Sequence, residues 1–357
     1  MPSLTTFGIA VFVLALSVPV IADDESRPLL DISRQVGTME GAPEPHYWWL
    51  TDNKIVYFEH VRHIPTPAEL RVLGKVPPDY APGHFRAFTL RVSDGKRAPM
   101  DSLNATFGND VAARPMLMSY GGGPSTETKY MLPSCAVSPD RKWFTWKSPT
   151  AWFAVKLDGT SKRRWPSKAV DGYVAWFAGT RCALVVSDYR HGGWRFSHVT
   201  VHGLSPKDYR IVAMDQPETG IIAGVTSTGR LLSTGTVVDA SDTTAIDEFD
   251  VSGKKAVVAH HAVKLPGRFH IWGAELSTHG DRLAWVLSEG IHYHIYISDT
   301  LGTKWTDLGY INRVIHQSGG ETNVTWPTGV RWLPGDTAVS YVFDGKLYRT
   351  QVPVNAG

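Results

Sequence analysis

Cysteine is almost absent from this chain. Its 357 residues include only Cys135 and Cys182, too few for a disulfide scaffold. Neither belongs to a CxxC or to a Cys/His spacing that would hold structural zinc. Blocks of like charge are also missing: 36 Lys and Arg against 34 Asp and Glu leave a net +2. Neither nucleic acid nor an anionic membrane is therefore expected as a partner. There is no G-x-S-x-G elbow, no HExxH, and no Gly-rich loop between a strand and a helix. The standard signatures of serine hydrolases, zincins and phosphate-bearing cofactors are thus lacking, and no cofactor is expected. No amphipathic period of ten or more residues follows residue 22. The nearest approach, 66–75, sits among prolines and reads as a loop insertion.

What the chain does have is apolar and turn-forming material. Apolar residues make up 43% of it, enough for a sizeable core and too many for a disordered chain. At about 150 residues per domain the length allows two ordinary domains or one large repetitive one. Thirteen each of Trp, Tyr and Phe accompany 33 Gly and 23 Pro, the composition of many short strands joined by many turns.

Residues 1–22 carry no charged side chain, and 7–22 (FGIAVFVLALSVPVIA) form an apolar run followed at once by Asp23, Asp24 and Glu25. A run of this length is short for a membrane span, which needs about 20 residues, and fits a signal-peptide core with a cut after Ala22. The n-region lacks Lys and Arg, which departs from the usual pattern. The expectation is an exported protein, periplasmic or secreted, without an integral span once the leader is removed. An oxidising compartment would permit Cys135 and Cys182 to pair, while their apolar strand-like contexts equally suit two buried thiols.

Internal repetition organises the remainder. Segments 135–159, 173–203, 274–302 and 330–352 share one grammar: apolar strand, polar turn, aromatic or β-branched strand, polar loop, alternating strand. In two of them, Ser138 and Ser277 each precede a Trp (Trp146, Trp285) by eight residues. Fainter copies occupy 47–60 and 246–261. Such a meander buries its faces poorly alone, but stacked radially against neighbours it has both faces covered.

These residues resemble the TolB-like, WD-repeat-like β-propeller family. Ser138, Pro139 and Asp140 match the start of that family's repeat turn, with Arg141 where the family has Gly. Residues 295–302 (IYISDTLG) match its strand end in full. The resemblance implies an all-β, single-domain propeller over 23–357, a closed ring of seven blades with six as the smallest count. Segment 105–132 is expected as a surface insertion and residues 28–36 as the strand that closes the ring. The family's turn residues are structural, so no catalytic residue is carried over.

Candidate functional residues come from the loops. His60, His63, His84, His260 and His261 are candidate ligands for a divalent transition metal if the fold brings them together. His292 and His294 follow near by in sequence. Metal-holding histidines in polysaccharide lyases built on TolB-like propellers supply a precedent within the resemblance. His198 and His202 share a strand face yet stand roughly 13 Å apart, too far to grip one ion. Asp188, Arg190 and His191 form a loop tip suited to polar recognition, and Trp48 is placed to stack on a ligand. Asp247 and Glu248 are adjacent on a strand and so face opposite ways, unlike a glycosidase pair. The reading that follows is a monomeric, non-catalytic binding or scaffold protein that engages a protein, peptide or glycan through its loop face. The alternative is a carbohydrate-active propeller enzyme, a lyase or glycosidase with a His-lined site.

Overall fold

The computed structural model describes residues 34–38, 47–61, 66–73, 80–82, 84–120, 129–131, 135–148, 151–166, 171–177, 181–190, 193–203, 209–217, 220–235, 240–312, 314–318, 321–325 and 327–357. The expected leader, 1–22, lies outside them. Among them no helix is long and apolar enough to cross a membrane.

The repeat grammar becomes antiparallel meanders. Strand β1 (Arg34–Thr38) is followed by a sheet of β2 (Tyr47–Thr51), β3 (Lys54–Val61), β5 (His84–Arg91) and β6 (Arg97–Pro99). Between β3 and β5 lie helix α1 (Pro67–Leu73) and β4 (Tyr80–Pro82). Helix α2 (Asp101–Asn109) comes next, and β7 (Met116–Tyr120) pairs with β4 on one side and β8 (Lys129–Met131) on the other. A second sheet comprises β9 (Cys135–Val137), β10 (Trp143–Lys147), β11 (Ala151–Lys156) and β12 (Lys162–Pro166). A third comprises β13 (Asp171–Trp176), β14 (Cys182–Arg190), β15 (Gly193–His202) and β16 (Tyr209–Pro217).

The next two meanders are fused. Strands β17 (Gly220–Val225), β18 (Leu231–Gly235) and β19 (Ser241–Asp250) lead into β20 (Val257–Leu276), which continues to β21 (Arg282–Glu289), β22 (His292–Asp299) and β23 (Trp305–Asn312). The first half of β20 pairs with β19 and its second half with β21, so one strand ends one meander and begins the next. After the hairpin β24 (Val314–Ser318) and β25 (Glu321–Thr325), the last sheet runs β26 (Thr328–Trp332), β27 (Ala338–Phe343), β28 (Lys346–Gln351) and then β1. Its outer strand thus comes from the N-terminal side, within and just beyond the expected closing stretch. The architecture is all-β and propeller-like, with four separate four-stranded blades and one seven-stranded sheet.

The cores lie between successive meanders. Trp48, Phe58 and Phe85 of the first pack on Phe144, Trp146 and Phe153 of the second, and Trp152 and Trp165 pack on Trp176 and Leu184 of the third. Phe196 and Val212 meet Leu231 and Phe249. Leu232 and Phe269 meet Trp285 and Tyr296. Ile295 and Leu308 meet Trp332 and Tyr341. The last sheet contributes Leu333, Val342 and Leu347 against Tyr47, Trp49 and Ile55 of the first. Each apolar face is therefore sealed by its neighbour, the reason a lone meander would not hold.

The Ser–Trp spacing has a local cause. Ser138 Oγ accepts from the amides of Trp143 (2.9 Å) and Lys142 (3.2 Å) and donates to Asp140 (2.5 Å). Ser277 Oγ repeats this with Arg282, Asp281 and the Asp281 carboxylate. The hydroxyl pins the turn, and eight residues later the strand register drops a fully buried Trp between sheets. Segment 105–132 includes more than surface: Phe107 and Ala113 are buried in the first intersheet core, and Trp146 Nε1 donates to Ala113 O (2.6 Å). The short apolar face of α2 fills the gap where β6 offers only a three-residue edge.

Candidate functional site: a cavity among the inner strands

The first strands of the meanders converge on a cavity of about 400 Å³, walled by β2, β9, β13, β17, β20 and β26. Its shape follows from one register position. Each wall strand after β2 ends in a turn residue whose amide bonds back across the turn: Ser138, Phe177, Thr226, Ser277 and Leu333. Two residues earlier stand Ala136, Ala175, Gly224, Glu275 and Arg331, and all five line the cavity. Three tiny side chains open the space, and an opposed pair of charges occupies the other side.

That pair is tightly made. Arg331 Nη1 donates to Glu275 Oε2 at 2.5 Å. Its guanidinium also donates to the carbonyls of Tyr47 (3.4 Å) and Val330 (3.3 Å) and lies 5.6 Å from the Trp48 ring centre. The indole of Trp332 donates to Glu275 O at 3.0 Å. Burial is the strongest influence on Glu275 and lifts its carboxyl above the usual range, against the opposing pull of Arg331 and Arg141. Cys135, also on the wall, is a free thiol pushed up to about 12 by burial, and Cys182 on β14 is likewise free and pushed up to about 12. Neither is a thiolate at neutral pH, so neither is a ready nucleophile.

Arg141 and Thr278 complete the rim. Arg141 holds φ +57, the left-handed region that its glycine-type turn position demands. Burial lowers its pKa. Thr278 is fixed by Asp336, whose fully buried carboxylate accepts from the Thr278 amide (2.8 Å) and hydroxyl (2.6 Å) and from the His279 amide (2.8 Å). Asp336 joins the turns of two neighbouring sheets and so sets the rim's shape.

The sequence-derived candidates are placed as follows. Trp48 lines the cavity, nearly buried, edge-on to Phe58 and Phe144. Trp49 turns the other way and donates to Ser340 Oγ at 2.6 Å. Asp188 and Arg190 end β14, opposite Arg195 and Gly193 of β15; His191 lies outside the described residues, as does His63. His60 and His84 sit at the ends of the paired strands β3 and β5, whereas His260 and His261 lie on β20 beside β19 in another sheet. His260 Nδ1 meets the Asp247 carboxylate at 2.7 Å, and Glu248, on the other face of β19, pairs with Arg230. The proposed metal set is therefore split between sheets. Among the described residues no group of three His, Cys, Asp or Glu could hold a metal ion. His292 and His294 pack on Tyr310 instead.

The residues missed from sequence are Glu275, Arg331, Arg141 and Thr278. A signal existed: within apolar first strands, AEL and VRW each carry a lone charge, opposite in sign, at the same distance from the turn.

The sequence matches no protein-family model and no curated protein. Among solved structures, the chain is similar to the holo form of the pyranose dehydrogenase PQQ domain from Coprinopsis cinerea. That match has 11% identity, 90% of this chain and 95% of that one covered, and a TM-score of 0.50. The TolB structure from Acinetobacter baumannii matches at 13% identity, with 85% and 81% covered and TM-score 0.38. The Cps50 (Swd1) β-propeller domain from Myceliophteria thermophila matches at 10% identity, with 90% and 99% covered and TM-score 0.43. TolB and WD-repeat propellers thus stand among the structural neighbours, as the sequence resemblance implied. At these identities the likeness concerns fold alone.

Proposed function

We propose that this chain is an exported, non-catalytic binding or scaffold protein, a closed propeller whose ligand engages the cavity among the inner strands and the surrounding loops. Six cores, each shared by adjacent meanders, support a ring of six blades with β20 counted twice, the smaller of the two expected numbers. Export rests on the apolar run 7–22.

The observation that carries the binding role is the cavity wall itself. Its ionisable groups are committed to geometry that recognises and does not react. Glu275 is locked to Arg331, Cys135 is held protonated, and the arginines are poor proton carriers at any working pH. A pocket of apolar walls with a few convergent polar groups suits recognition. Protein, peptide and glycan remain the partner classes for the wider loop face.

The test immobilises the purified protein and probes it with peptide and glycan arrays, while a polysaccharide panel is assayed for product release with added divalent metal. Saturable capture without product release is expected. Release that disappears in a His60→Ala/His260→Ala variant would establish the carbohydrate-active reading instead.

A further inference from the structure

The Glu275–Arg331 pair leaves part of its hydrogen-bonding capacity unused. Arg331 applies Nη1 to Glu275 Oε2 and to Val330 O, and Nε to Tyr47 O. Its Nη2 donates to no acceptor among the described residues. Glu275 meets the arginine through Oε2, and Oε1 accepts from no side chain among them. Both side chains line the cavity and keep about a quarter of their surface, 24% and 25%, open to it. A charged donor and a charged acceptor are therefore held together, facing the same space.

The charges around the space decide what can use that pair. Arg141 lies on the same wall and feels Glu275, Asp336, Arg331 and Asp140. The neutral amides and hydroxyls that donate to Asp336 and Asp140 leave both carboxylates charged. Three carboxylates thus meet two guanidinium groups, and no positive charge is left over for an anion. A cation fares no better at the wall itself. Asp336 is fully buried at the Thr278 turn and Asp140 is exposed, whereas both arginines line the cavity. An uncharged ligand meets neither repulsion. The rest of the wall, including Trp48, Val137, Val174, Trp176, Ile221 and Ala223, is apolar or aromatic. A sugar entering it would leave several hydroxyls unanswered, each weakening binding roughly 10-fold. At about 400 Å³ the space admits a compact body. One group matches these constraints: an amide whose N–H and C=O lie on one edge. A trans peptide sends the two to opposite sides, but a primary carboxamide or a lactam presents them together.

We propose that the cavity binds an uncharged primary carboxamide or lactam on a compact apolar or aromatic body. The ligand N–H donates to Glu275 and its C=O accepts from Arg331. This inference rests on the binding reading above and adds the ligand class to it.

The intact protein would be titrated with phenylacetamide, N,N-dimethylphenylacetamide, phenylacetate, phenethylamine, methyl glucoside and an end-blocked asparagine tripeptide. Binding is followed by the fluorescence of the cavity tryptophans and by calorimetry. Phenylacetamide should bind. Removing its N–H in the dimethyl compound, or its neutrality in the acid and the amine, should weaken binding roughly 10- to 100-fold. Tighter binding of phenylacetamide than of the tripeptide assigns a small free ligand, and the reverse order assigns a carboxamide side chain of a peptide. The decisive variant is Glu275→Met/Arg331→Met, because a fold tolerates removal of both charges better than removal of one. It should bind the amide and its dimethyl analogue equally. General damage would weaken all probes alike and leave that preference standing. Ala136→Leu, which fills the cavity and leaves the pair in place, should abolish binding of every probe. Three results would overturn the amide assignment: equal binding of the two amides by wild type, a preference that survives in the double variant, or tighter binding of the acid, the amine or the glucoside. Failure of every small probe, with array capture persisting in both wild type and Ala136→Leu, would reject this inference and leave the broader binding role intact.

Discussion

Replacing Arg331 by Met should expose how the cavity is held together. The pair it makes with Glu275 is partly buried, each side chain keeping about a quarter of its surface on the cavity, at 24% and 25% exposure. Breaking a fully buried pair by removing one partner costs roughly 3–5 kcal/mol, and an exposed pair about 0–1. The intermediate setting argues for about 2–3 kcal/mol, which also includes the lost contacts with Tyr47 O and Trp48. For a domain of this size that lowers Tm by about 3–4 °C. The penalty should grow with pH. Burial already raises the folded-state pKa of Glu275, and losing Arg331 raises it further. The orphaned carboxyl can then escape by protonation in acid but not in base. A raised folded pKa for an acid means stability falls as pH rises through it. Urea unfolding of wild type, Arg331→Met, Glu275→Gln and the double variant, at about pH 5 and about pH 8, gives the coupling energy. Single-variant costs that add to within about 0.5 kcal/mol in the double variant would refute the claim that these residues act as a unit.

Other expectations follow from the same structure. His202 is buried between Trp165 and Tyr209, and burial holds its pKa down to about 4 from 6.5. Its neutral form thus contributes stability that is complete above about pH 6.5 and lost as pH falls toward 4, worth up to about 3 kcal/mol. His202→Phe should flatten the acid limb of a Tm-against-pH profile; an unchanged limb would place the acid sensitivity elsewhere. Gly224, at φ +148, would bring an added Cβ to 2.9 Å from Leu276 Cβ. Gly224→Ala should therefore destabilise by about 1–3 kcal/mol in chemical denaturation and narrow the cavity. Ser340 Oγ receives the Trp49 indole at 2.6 Å and lies 2.8 Å from the Tyr47 hydroxyl, joining the first and last sheets. Ser340→Ala should cost about 1–3 kcal/mol, and a loss below about 0.5 would show that the indole finds another acceptor.

Much of this architecture was legible in the residues. Alternating strands, turn chemistry and the Ser–Trp spacing are local, because a hydroxyl pinning its own turn and a Trp eight residues on depend only on nearby backbone. The outer closing strand was also foreseeable, since 330–352 ends one strand short. The site was not. Histidines drew attention because imidazole advertises chemistry wherever it occurs, but side-chain identity says nothing of whether His60 and His260 share a sheet. Glu275 and Arg331 looked like ordinary polar interruptions in two apolar strands. They are 56 residues apart, and only the stacking of successive meanders makes them neighbours.

Sequence alone therefore determined the unit: short strands, their turns, and the aromatic wedges that make an isolated meander untenable. Tertiary structure decided the centre, since which residues face the common space depends on how the sheets pack around it. Arg141 shows both sides of that division. Its departure from glycine was visible at once, but only the packed sheets show that the turn bearing it opens onto a cavity shared with Glu275 and Arg331.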